Sequence, residues 1–217
     1  MSNPLVIAEL HADEEDKHYQ LYTAAYGLEM QIDDEWPVEL VLLAPPKHLK
    51  AVTKDTGVTG EDTAIVSAGV TDLVLKKGVP NTKVIKDDHN NWVSLDATET
   101  EEFDTKLLAA SQCGCRLIVR VEPGQSLPID ALESANTVVL VLVPDQSTEL
   151  SSLVSQGNSL REQLGSHENL RVAVSGLVDP EAVKEACAID GIDGVFLMTS
   201  DYDDFGDLLK ILRAFAE

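Results

Sequence analysis

The sequence is short of basic residues: 16 lysines and arginines stand against 38 aspartates and glutamates, for a formal net charge of −22. A surface of that sign repels phosphate backbones and anionic lipid. Nucleic acid and membranes are therefore not expected as partners, and a protein with a basic surface is the partner class the field favours. A salt-rich cytoplasm or plain solubility accounts for the same excess. Self-repulsion of this kind is relieved by screening. Raising salt from low ionic strength to about 0.5 M, well past the range where the Debye length is about 10 Å, should raise the melting temperature. A flat or falling melting temperature over that range would contradict the expectation.

Cysteine is scarce as well. Cys113, Cys115 and Cys187 are odd in number and include a tight Cys-Gly-Cys, which makes no disulfide framework. No histidine or further cysteine lies near the pair to complete a four-ligand site, so no metal is expected. Long apolar runs are missing too: nothing approaches the roughly 20 residues that span a bilayer. Residues 1–10 lack the basic start and apolar run of a signal peptide, so the expected location is the cytoplasm. No Gly-x-Gly-x-x-Gly follows the first apolar run, which counts against a dinucleotide site, and no cofactor is expected. There is no Gly/Ser-rich linker, so residues 1–217 read as one domain.

What is present is a rhythm. The chain is 44% hydrophobic, and short apolar runs alternate with segments of helical spacing. That is the pattern of a parallel sheet with crossover helices. Strands are predicted over 5–8, 40–44, 72–75, 116–121, 138–143, 170–174 and 194–198. Helices are predicted over 14–31, 47–54, 98–112, 147–164 and 205–215, with another starting at Asp179-Pro180-Glu181. In the helix at 98–112, Thr98 is the expected N-cap, with Glu101 at capping-box spacing. Residues 82–96 depart from the rhythm and read as a hairpin excursion around Asp87–Asn91. Only a short helix fits within 124–136. Trp36 and Trp92 either pack on the sheet or, if exposed, mark a contact surface. Alternation alone leaves both a closed barrel and an open doubly wound sheet in play.

Several fragments, in order, resemble triosephosphate isomerase. Val41-Leu42-Leu43-Ala44-Pro45-Pro46 is similar to that family's second strand. Thr59-Gly60-Glu61, leading through Gly69-Val70 to Leu73-Val74-Leu75, resembles its Thr-Gly-Glu helix and fourth strand. Val172-Ala173-Val174-Ser175-Gly176 with residues 179–184 looks like its seventh strand and helix, and Ile192-Asp193-Gly194-Val195-Phe196-Leu197 like its eighth strand. The resemblance implies a TIM-type (β/α) barrel with its functional groups where strands end. It also implies a shortened barrel. Residues 54–59 leave no room for a third strand and its dimer-forming loop, so the expectation is seven strands or an open barrel, a hairpin after strand four, and no family-type homodimer.

The family's functional positions are altered. Its Asn-x-Lys after strand one becomes Glu9-Leu10-His11, its histidine after strand four falls near Lys76-Lys77, and its Glu-Pro after strand six becomes Val143-Pro144. A valine cannot take a proton from carbon. The phosphate-binding glycine pairs become Ser175-Gly176 and Met198-Thr199, leaving Ser175 and Gly176 as a remnant of a substrate-binding turn. The expected function is thus a non-catalytic barrel used for binding or assembly. The competing expectation is an enzyme of changed chemistry, an isomerase or lyase on a small phosphorylated or carbonyl substrate. Its relocated mouth site would draw on His11, Lys76, Lys77, Glu122 and Asp145.

Overall fold

The structure is a computed structural model, and it describes residues 3–9, 38–44, 66–71, 75–76, 79–80, 92–98, 100–122, 124–144, 150–165, 169–177, 179–198 and 210–211. Ten strands follow in chain order: β1 (Leu5–Glu9), β2 (Glu39–Ala44), β3 (Val66–Thr71), β4 (Leu75–Lys76), β5 (Val79–Pro80), β6 (Trp92–Asp96), β7 (Arg116–Val121), β8 (Thr137–Leu142), β9 (Leu170–Ser175) and β10 (Gly194–Met198). Helices α1 (Phe103–Gln112), α2 (Ile129–Glu133), α3 (Leu150–Leu164) and α4 (Pro180–Cys187) follow β6, β7, β8 and β9 in turn.

Eight strands close into one parallel barrel in the order β1-β10-β9-β8-β7-β6-β3-β2. The first strand meets the last in register, Leu5 beside Gly194 through Glu9 beside Met198. Parallel strands covered on both faces need no polar alternation, which is why β1 and β8 are near-continuous apolar runs. Period two still divides them. Leu5, Ile7, Val41, Leu43, Trp92, Ile118, Val139, Val141, Ala173 and Phe196 fill the barrel interior. The alternate residues, among them Val93, Leu117, Leu140 and Val172, pack outward with Leu107, Leu132, Leu153 and Leu160 of the helices. Trp92, at 2% exposure, is a barrel-core residue and not a contact surface.

Three expectations are corrected. The third strand is present: β3 pairs with β2 from Leu40–Val66 to Ala44–Val70, so the barrel is closed and eight-stranded. The fourth barrel strand is β6, paired with β3 and β7, and not residues 72–75; nor is 92–96 one arm of a hairpin. The antiparallel pair that does exist, β4 with β5, lies between the third and fourth barrel strands, not after the fourth. With the third strand in place and 72–91 separating it from the fourth, the ground for excluding a family-type dimer, a missing segment at 54–59, is removed.

The caps follow local chemistry. Asp179 caps α4 as expected, its carboxylate accepting from the Glu181 N–H at 3.3 Å, with Pro180 in the first turn. Thr98 does not cap α1. Its N–H and hydroxyl both donate to Asp96 Oδ1, at 2.8 and 2.7 Å, and the helix starts after Glu102 with no side-chain cap. The expected short helix in 124–136 is α2. The predicted helices over 14–31 and 47–54 lie outside the described residues. Of 205–215 only Lys210 and Ile211 are described, both helical, with Ile211 buried.

Candidate functional site

Each barrel strand carries its inward side chains at alternate positions, so a strand end that faces inward delivers its residue to one pole of the barrel axis. At the C-terminal pole these residues include Glu9 from β1, Asp96 from β6, Arg120 from β7, Ser175 from β9 and Met198 from β10. This is the end at which (β/α) barrels carry their chemistry.

Arg120 is the centre of the group. Its Nη2 lies 3.1 Å from Asp96 Oδ2, and its Nη1 lies 3.5 Å from Glu9 Oε2. Its guanidinium carbon stands 5.4 Å from the centroid of the Phe196 ring, and Nη1 also points at Met198 Sδ at 3.8 Å. The three charged side chains are largely buried, Glu9 at 7% exposure and the other two at 15%. Asp96 ties the cluster to the following turn: Oδ1 takes the Thr98 donors while Oδ2 faces Arg120, and the Asp96 N–H donates to Thr100 Oγ1 at 3.0 Å. The arginine is therefore gripped from two strands and lies across an aromatic ring from a third.

The space left at this pole is a cavity of about 210 Å³ bordered by Asp96, Arg120, Glu122, Val143, Ser175 and Met198. That is below the roughly 300 Å³ at which small-molecule sites begin. Chemically, two carboxylates and one guanidinium leave one net negative charge and no unpaired cation in the trio, which is unsuited to holding a phosphate.

The candidates read from the sequence are not brought together among the described residues. Glu122 follows β7 and is exposed at the rim, with its N–H donating to Gln125 Oε1 at 3.2 Å. Lys76 belongs to the two-stranded β4–β5 pair, not to a barrel strand. His11, Lys77 and Asp145 lie outside the described residues. Ser175 is buried, and its hydroxyl donates to the Leu142 carbonyl at 3.3 Å. Gly176 turns with φ 79°, and a Cβ there would sit 3.4 Å from Pro144 Cγ. Val143 directly follows the sixth barrel strand and lines the mouth. Because the fourth barrel strand is β6, the position after strand four falls at Ala97-Thr98, not at Lys76-Lys77.

Glu9, Asp96 and Arg120 were not singled out as a group by sequence reading. The signal that finds them is Arg116-Leu-Ile-Val-Arg120, in which both arginines share the inward face of one strand and close its two ends.

No group of three or more metal-ligating side chains occurs among the described residues. Cys113 is exposed while Cys115 is buried, so the pair does not present two thiols to one ion. Burial, then the neighbouring Cys113, pushes the Cys115 thiol up to about 11; burial, then the Asp193 carboxylate, does the same to Cys187. The neutral thiol is favoured in the fold, so each group's contribution to stability is complete below its ordinary value of 9.0 and is lost as pH rises through about 11. At pH near 8, a maleimide should modify exposed Cys113 fastest, half-buried Cys187 more slowly and buried Cys115 only after denaturation. Equal labelling of all three in the native protein would contradict the burial.

Eight parallel strands closed around an apolar core, with helices after successive strands, define a barrel of the TIM class. Among solved structures, the triosephosphate isomerase of Bartonella henselae matches with a TM-score of 0.70 and 13% identity, over 99% of this chain and 100% of that one. A likeness at that identity shows the fold alone. No protein-family model and no curated protein matches the chain. Among the described residues, no helix is long and apolar enough to cross a membrane.

Proposed function

We propose that this chain is a catalytically degenerate relative of triosephosphate isomerase. It works as a cytoplasmic binding or assembly module, without a cofactor, for a protein partner with a basic surface. The observation that supports this most is the mouth of the barrel, where Arg120 is locked between Glu9 and Asp96 and leaves little room. Isomerisation by proton transfer at carbon needs a carboxylate base at the substrate, an electrophile on its carbonyl and a grip on its phosphate. Val143 and Ala97-Thr98 stand where the first two would be, and the carboxylates present face a guanidinium. Either would have to leave that ion pair to reach a substrate.

A coupled assay of triose phosphate interconversion on purified protein tests the reading. The expected result is no turnover above the uncatalysed blank. Sustained turnover that is lost in Glu9→Gln or Asp96→Asn would overturn it and make those carboxylates catalytic; loss in His11→Ala or Asp145→Ala would place the site in the loops instead.

A further inference from the structure

The larger cavity is at the opposite pole. An open depression of about 380 Å³ lies at the N-terminal end of the barrel, against about 210 Å³ at the mouth. It falls within the range of small-molecule sites. Its charged lining residues are Glu39, Arg116, Arg171 and Asp193, with Trp92 and Thr137 beside them.

The four lining charges sum to zero, but both carboxylates have partners other than Arg116. Glu39 is taken by Arg171, which also donates to the Asn3 carbonyl at 2.7 Å. Asp193 is taken by Arg161 and by the Val172 N–H at 2.7 Å. Arg116 has no carboxylate partner among the described residues; its guanidinium carbon lies 5.4 Å from the centroid of the Trp92 ring. Arg116 is thus the lining charge without an ion-pair partner among the described residues, in a chain whose formal charge is −22. Two lining residues also carry buried donors. The Trp92 Nε1–H and the Arg171 Nε–H are both buried with no hydrogen-bond acceptor, and Trp92 is only 2% exposed. A buried donor without an acceptor is unfavourable, so two in residues lining one depression ask for a compensating role.

What Arg116 lacks is a negatively charged acceptor, and an oxyanion supplies one. A guanidinium presents paired N–H groups that match two oxygens of a carboxylate or phosphate. We propose that the N-terminal pole of this barrel binds a small oxyanion, a carboxylate or a phosphate, with Arg116 above Trp92 as its principal contact. The site is separate from the mouth and independent of whether the protein turns anything over.

Trp36 and Trp92 are the two tryptophans, so Trp36→Phe leaves Trp92 as a single reporter. That variant is titrated with sodium phosphate and, separately, with sodium acetate, each against sodium chloride at matched ionic strength. Calorimetry on the unmodified protein gives a second reading. The expected result is saturable binding at or below about 1 mM for at least one oxyanion and none for chloride. A response to phosphate alone identifies a phosphate site, and a response to acetate a carboxylate site. Arg116→Gln should abolish saturation with the melting profile retained, and Arg116→Lys, which keeps the charge but not the fork, should weaken binding about tenfold. No saturable response to either anion by either method, the same response to chloride, or full affinity in Arg116→Gln would overturn the proposal.

Discussion

Arg120→Met is expected to lower the unfolding free energy by about 3–5 kcal/mol, because it strips the counter-charge from two carboxylates that the fold keeps largely out of water. Asp96 approaches the guanidinium from β6, the strand beside β7, and Glu9 from β1 across the barrel. With it gone, they face each other across a space lined by Phe196 and Met198. Methionine fits the volume of the arginine stem and is at home against an aromatic ring, so the loss reads the charge and not a void. The triple variant Glu9→Gln, Asp96→Asn, Arg120→Met removes all three charges at once and should recover most of the loss, since an absent ion network costs far less than a broken one. Urea denaturation of the two variants and the parent measures both effects. A single variant within about 1 kcal/mol of the parent would mean that water or neighbouring loops already neutralise the pair.

The same trio shows where sequence reading reached and where it stopped. Strands buried on both faces announce themselves, and β7 and β10 fall on the predicted 116–121 and 194–198, while β1, β2 and β9 differ by a residue at one end and β8 by a residue at both. β3 is masked in the sequence because Val66-Ser67-Ala68-Gly69-Val70-Thr71 is diluted by small and polar residues, whereas the neighbouring Asp72-Leu73-Val74-Leu75 is richer in apolar ones. The strand identity is fixed by pairing with β2 and β6, a non-local fact. β6 reads as a hairpin arm because Asp87–Asn91 has turn chemistry, a local signal that parallel pairing with β7 overrides. Asp96, Glu9 and Arg120 each end an apolar run, and a charge at that place reads as a boundary. Only closure of the barrel makes those three ends neighbours. Val143, by contrast, was legible from its place before Pro144, and it does follow the sixth barrel strand.

Closure itself rests on a residue whose importance lies in what it lacks. Gly194→Ala is expected to cost at least about 3 kcal/mol, at or beyond the upper end of the usual overpacking range. Gly194 opens β10 and sits in register with Leu5 of β1, at the seam where the last barrel strand meets the first. A Cβ there would lie 2.1 Å from the Leu5 carbonyl oxygen and 2.8 Å from both the Leu5 carbonyl carbon and Cβ. Two of those atoms are backbone and cannot swing aside, and Leu5 is itself fully buried with its N–H donating to the Asp193 carbonyl at 2.9 Å. The seam must therefore part or shift to admit one methyl group. Gly157→Ala provides the contrast. Its Cβ would come 3.0 Å from Val172 Cγ1, a side-chain atom, and alanine gains about 1 kcal/mol of helix propensity within α3. That variant should be near neutral. Matched urea titrations decide the matter: a Gly194→Ala loss no larger than that of Gly157→Ala would show that the β1–β10 seam is slack and that the barrel does not depend on it for closure.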